Sequence, residues 1–207
     1  MRPVRPVGQR KRHGLVHSLL SRSRVGSGWT AKAGEGRAMD FEIVHTFDAG
    51  REAVERAMLD PQLAPFLLEH MTLVRHIELL ERKDDGAAVV RRVRYVPVPV
   101  ISRIGAMQVK PEWMSWTEES RFDPRVHRVD FENVPQVPGV AEVMEQRGVI
   151  RFEEAGPGKC RRTIRGSLRI KMPLVGRIVE KVIYPNAMKI LDEEARFLNA
   201  WLLTQGR

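Results

Sequence analysis

Apolar residues change their period along this chain, and each change marks an element. Phe41, Ile43, His45 and Phe47 alternate with Asp40, Glu42, Val44 and Thr46, the period of two that predicts a strand with one dry face. Asp48-Ala49-Gly50 is turn chemistry. Residues 51–59 and 61–71 then predict two short helices, the second announced by Asp60 as N-cap and Pro61 at the first helical position. Strand signals recur at 72–82, 87–96, 113–122, 126–133, 144–154 and 160–172, separated by turn sequences such as Asp84-Asp85-Gly86, Asp123-Pro124 and Ala155-Gly156-Pro157-Gly158. Val96-Pro97-Val98-Pro99-Val100 is extended, but its prolines lack ladder donors, which keeps it out of a sheet interior.

The last strand is the cleanest. Cys160, Arg162, Ile164, Gly166, Leu168, Ile170 and Met172 form one set, against Arg161, Thr163, Arg165, Ser167, Arg169 and Lys171. After Met172-Pro173 the period becomes helical: Ile178, Val182, Pro185, Met188, Leu191, Ala195, Leu198 and Leu202 follow at steps of three or four. Pro185 removes one backbone hydrogen bond and should bend this helix near Tyr184. Consecutive strands joined by tight turns favour an antiparallel meander. The predicted class is therefore α+β: a strongly curved antiparallel sheet of about seven strands, two short helices after the first strand, and a long C-terminal helix over the concave face. A sheet with one dry face and a helix to cover it make a container for a small molecule.

Three segments carry a resemblance: Met39-Asp-Phe-Glu-Ile-Val-His-Thr-Phe, Lys171-Met-Pro-Leu-Val-Gly-Arg-Ile-Val-Glu-Lys-Val and Glu193-Glu-Ala-Arg-Phe-Leu-Asn-Ala-Trp-Leu. With the element order, they resemble the START-like (SRPBCC) helix-grip superfamily of lipid-transfer domains, birch-pollen-allergen-type proteins and polyketide cyclases/dehydrases. Within it they are similar to a bacterial branch known only as a domain of unknown function. The resemblance implies a cavity between sheet and helix for an apolar ligand. It brings no catalytic motif, because that superfamily shares architecture more than chemistry.

Charge divides the chain in two. The net charge is +9, but residues 1–38 hold nine Lys/Arg and one Asp/Glu, a net of +8, leaving +1 for the rest. The body at 39–207 thus offers no electrostatic case for nucleic acid. The basic segment lacks a hydrophobic period and reads as disordered. A secretory signal, an organellar transit peptide and a basic arm for nucleic acid or anionic lipid compete as its origin. The preferred reading is a mis-assigned start: Gly34-Glu35-Gly36-Arg37 needs purine-rich codons, which would serve as a bacterial ribosome-binding site before Met39. No run of about 18 apolar residues suggests a membrane span. The single cysteine, Cys160, fits a reducing, cytoplasmic setting and a structural role.

Strand phase nominates a ligand pocket. Arg91 and Tyr95, Trp116 and Glu118, His127 and Phe131, Gln146 and Phe152, and Leu168 lie on the faces taken as inward, with Met188 and Leu191 from the helix. Each large apolar residue among them is also a normal core residue. An inward Arg91 or Glu118 requires a partner, either each other or a ligand headgroup. His127 and His45 have apolar neighbours and suit satisfied core histidines. Trp113 and Trp116, three apart, are expected on opposite faces of a strand. No metal site, nucleotide loop or nucleophile elbow is present at sequence level, so no catalytic residue, cofactor or metal is assigned. Three functions remain. They are binding or transport of a hydrophobic small molecule such as a lipid or polyketide-like compound; a cyclase- or dehydratase-type enzyme using Glu118 or His127 in the same cavity; and an interaction protein using the basic arm.

Overall fold

The computed structural model describes residues 39–104, 106–171 and 176–205. The expectations for residues 1–38 and for Met172 fall outside the described residues. Among these the order is β1 (Met39–Phe47), α1 (Arg51–Leu59), α2 (Leu63–His70), β2 (Val74–Asp84) and β3 (Val89–Pro97). A small hairpin of β4 (Arg103–Ile104) and β5 (Met107–Gln108) and a 3₁₀ turn at Pro111–Met114 follow. Then come β6 (Trp116–Asp123), β7 (Arg128–Pro135), α3 (Pro138–Ala141), β8 (Met144–Glu154), β9 (Cys160–Ile170) and α4 (Gly176–Gln205).

Seven strands form one antiparallel sheet in the order β1-β9-β8-β7-β6-β3-β2. Tight turns impose this meander, and Gly86 (φ 77°) and Gly158 (φ 64°) supply the left-handed backbone at two of them. The helices α1 and α2 carry the chain from one sheet edge, β1, to the other, β2. The long helix α4 then packs on α1, α2, β1 and β9. Phe47, Val54 and Leu198 meet there, each with no exposed surface. This is the α+β helix-grip architecture.

Two glycines let the sheet wrap tightly. Gly148 on β8 and Gly166 on β9 are cross-strand partners. A Cβ on Gly148 would lie 2.3 Å from the Arg165 carbonyl oxygen and 2.8 Å from Phe131 Cζ, and one on Gly166 would lie 2.6 Å from Phe41 Cζ. The rings of Phe41 and Phe131 thus rest on bare backbone from either side. At the far edge, register shifts between Val74 and His76 and between Leu79 and Glu81 mark bulges in β2, which bend a strand locally.

Local chemistry departs from the sequence expectation at three places. The second helix begins at Leu63, not Pro61, because the Asp60 carboxylate accepts the Gln62 amide at 2.8 Å and closes a turn of its own. Trp113 sits in the 3₁₀ turn, so it does not alternate with Trp116 along a strand. Pro97 does belong to the sheet, as the final residue of β3 opposite Val74, where an interior donor is not required.

Candidate functional site: a cavity under the long helix

Cross-strand register lays the concave floor in rungs. Tyr95 pairs with Trp116, and their rings stack at 5.3 Å with 15° between planes. One step inward, Val93 faces Glu118, Glu118 faces Asn133, and Asn133 faces Gln146. The next rung runs through Arg91, Ser120, Phe131, Gly148 and Gly166. Beyond it, Val89, Phe122, Val129, Ile150 and Ile164 close the floor with aliphatic and aromatic bulk. Period two along every strand places each of these groups on the same side.

Above this floor is a cavity of about 570 Å³. Ile183, Ile190 and Leu191 of α4 roof it, Leu63 and Leu67 of α2 wall one side, and Val100, Val109 and Trp113 of the β3–β6 connection wall another. Most of the lining is apolar. Tyr95, Arg91, Glu118, Asn133 and Gln146 supply polar atoms on the floor, with Arg162 and Glu194 further in. One of these atoms, the Asn133 amide oxygen, is buried without a hydrogen-bond partner among the described residues.

The two floor cations differ. Arg162 on β9 is 1% exposed and held by Glu194 of α4 through two bonds, Nη1 to Oε1 at 3.0 Å and Nη2 to Oε2 at 2.6 Å. Its Nη2 also donates to His45 Nδ1 at 3.1 Å, while His45 Nε2 meets Asp192 Oδ1 at 3.0 Å. These contacts fix the neutral Nε2–H tautomer. Burial, helped by the Arg162 charge, pushes the His45 imidazole down to about 3. Arg91 instead donates Nη1 to the Met58 carbonyl, and no carboxylate oxygen among the described residues lies within 4.0 Å of its guanidinium. Glu118 retains accessible surface only because it faces the hollow. Burial raises its carboxyl well above the ordinary range, and Arg91 only partly offsets this. Burial and the nearby Glu118 likewise raise the Tyr95 hydroxyl.

Polar contacts at two further points on α4 clamp the roof in place. Glu193 accepts the Thr72 amide at 2.9 Å, the Thr72 hydroxyl at 2.8 Å and the Leu73 amide at 3.0 Å. Asn199 accepts the Asp48 amide at 3.1 Å. With Arg162–Glu194 between them, the helix is tied to both ends of the sheet order.

Seven of the sequence-nominated residues face this cavity: Arg91, Tyr95, Trp116, Glu118, Phe131, Gln146 and Leu191. Trp113 faces it as well, so the two tryptophans share a space rather than opposite faces. Four nominees lie elsewhere. His127 is a turn residue at φ 51°, with Nδ1 3.0 Å from Glu55 of α1, because strand β7 starts only at Arg128. Phe152 and Leu168 have the inward phase but are packed into the core at 3% and 2% exposure. Met188 packs against the core beside the lining residue Ala187. The deep tetrad of His45, Arg162, Asp192 and Glu194 was not nominated. Its signal was an arginine within the apolar set of the last strand, and register sets it opposite His45.

Cys160 is fully buried, and burial pushes its thiol up to about 11, which leaves no reactive thiolate. Among the described residues no group of three His, Cys, Asp or Glu is placed to hold a metal ion, and no helix is long and apolar enough to cross a membrane.

A model of the family described as "Protein of unknown function (DUF2505)" matches residues 42–202. No curated protein matches the sequence. Solved structures show the same fold at low identity. The protein TTHA0849 from Thermus thermophilus is 19% identical, with 81% of this chain and 99% of that one covered at a TM-score of 0.59. Zhui aromatase/cyclase from Streptomyces sp. R1128 is 12% identical, with 83% and 97% covered at 0.55. A point mutant of norcoclaurine synthase from Thalictrum flavum, in complex with a transition-state analogue, is 13% identical, with 88% and 100% covered at 0.57.

Proposed function

This chain belongs to the family described as protein of unknown function (DUF2505), and from its cavity we propose that it binds or carries a hydrophobic small molecule, lipid or polyketide-like, between sheet and α4. The observation that carries this reading is the hollow of about 570 Å³ under α4. Small-molecule sites span roughly 300–1,000 Å³ and are mainly apolar with a few placed polar groups. Apolar side chains that face a hollow instead of one another forgo dispersion contacts, which an apolar ligand supplies. The neighbours named aromatase/cyclase and norcoclaurine synthase share the fold and support a small-molecule cavity. We assign ligand contacts to Arg91, Tyr95, Trp116, Glu118, Phe131, Gln146 and Leu191, within a functional unit at 39–207. A cytoplasmic setting accords with the lone, buried Cys160.

Native mass spectrometry of the purified protein tests the reading. The expected result is an apolar species that co-purifies and is released by organic extraction. A protein that carries none and takes up no apolar probe overturns it.

A cyclase- or dehydratase-type reaction in the same cavity is the second reading. Glu118 favours it: burial raises its carboxyl, the direction that suits a general acid facing a bound substrate. His127 gives it no support from its place in the β6–β7 turn.

A further inference from the structure

Arg162 and Arg91 line the same cavity, yet among the described residues only Arg162 has a counter-ion. Arg162 is neutralised in two-point fashion by Glu194, the geometry that best satisfies a guanidinium. Arg91 has one bond, to a backbone carbonyl, and keeps further N–H donors for whatever occupies the cavity. Tyr95 and Glu118 stand on adjoining rungs of the floor. A cation in an apolar hollow without a partner is costly, and a bound anion relieves that cost. Glu118 does not serve as that anion, because no carboxylate oxygen among the described residues lies within 4.0 Å of the Arg91 guanidinium. Burial first, and then the Glu194 carboxylate, raise the Glu118 carboxyl against the opposing pull of Arg91, Ser120 and Arg162. A carboxyl raised in this way takes up a proton more readily and can then donate a hydrogen bond to an anion rather than repel it.

We infer that the ligand is an apolar molecule bearing one anionic oxygen group, such as a carboxylate, which pairs with the free donors of Arg91 and accepts from Glu118 while its body lies along the Tyr95–Trp116 plate. This rests on the small-molecule reading above and narrows it to organic acids. A neutral sterol-like or hydrocarbon ligand would leave Arg91 unpaired.

The test uses the full chain with N-phenyl-1-naphthylamine, a neutral fluorescent apolar reporter. Dodecanoate and dodecan-1-ol, which differ only at the head, compete for the reporter's site. In the wild type both displace it, and dodecanoate does so at the lower concentration. In R91M the ratio of dodecanoate to dodecanol affinity should fall at least about tenfold, the value of a charge-assisted hydrogen bond. R91K, which keeps the charge and loses the fork, should fall between them. It also serves if R91M does not fold. Equal losses for both competitors would show Arg91 to be structural, and an unchanged ratio would show it to be idle; either result overturns the acid proposal while the cavity reading stands. Failure of the wild type to take up the reporter or either competitor would remove both.

Discussion

The bond pair between Arg162 and Glu194 should be the most sensitive point of the grip. In Glu194→Ala the Arg162 guanidinium stays 1% exposed but loses the 3.0 Å and 2.6 Å bonds to its counter-ion. It retains His45 Nδ1 at 3.1 Å and the Phe47 ring at 5.2 Å, neither of which neutralises it. Breaking a buried ion pair from one side costs about 3–5 kcal/mol, because the other charge is left uncompensated. In a domain of this size that corresponds to a fall in Tm of about 6–20 °C. Replacing both partners by apolar residues, Arg162→Met with Glu194→Leu, should recover most of the loss, since no buried charge remains. Urea denaturation of the three proteins measures this, with an unchanged slope showing that only stability moved. A Glu194→Ala loss below about 1 kcal/mol, the level of an exposed pair, would refute the reasoning. So would a double variant no more stable than the single one.

Gly148→Ala should be destabilised by about 1–3 kcal/mol or fail to fold, since the new methyl meets a carbonyl oxygen at 2.3 Å that cannot step aside; Gly139→Ala, with open space around it, is the control. For His45, whose folded value is near 3 against 6.5 unfolded, stability is present above 6.5 and declines as pH falls toward 3. Each pH unit in that window removes about 1.4 kcal/mol, and a His45→Gln variant should lack this component in pH-dependent urea melts. Glu118 has the opposite sign: its raised value lowers stability as pH climbs above its unfolded value. Glu118→Gln should therefore gain on the wild type between pH 5 and pH 8, and a constant difference across that range would contradict the assignment.

Period and turn chemistry carried the fold. Strand β8 and helix α1 occupy the residues that their patterns indicate. The β4–β5 hairpin did not announce itself, because two residues per strand leave no alternation to detect. Inwardness was legible for the floor: phase alone put Arg91, Tyr95, Glu118 and Gln146 on one side. Depth was not. Phe152 and Leu168 have the right phase, but only register and the position of α4 decide whether a residue faces the hollow or the packed core. The tetrad around Arg162 needed pairings across 117 and 32 residues of sequence, which no local pattern encodes. What the sequence did show was the anomaly, one arginine on a dry face.

The central claim is that the hollow beneath α4 takes up an apolar molecule. Fluorescence titration with N-phenyl-1-naphthylamine tests it most directly, comparing the wild type with Ala187→Phe, which puts a ring into the space from the roof. Saturable one-to-one binding in the wild type, lost in a variant that still melts cooperatively, is the expected result. Equal binding by both proteins would place the probe outside the hollow and contradict the account.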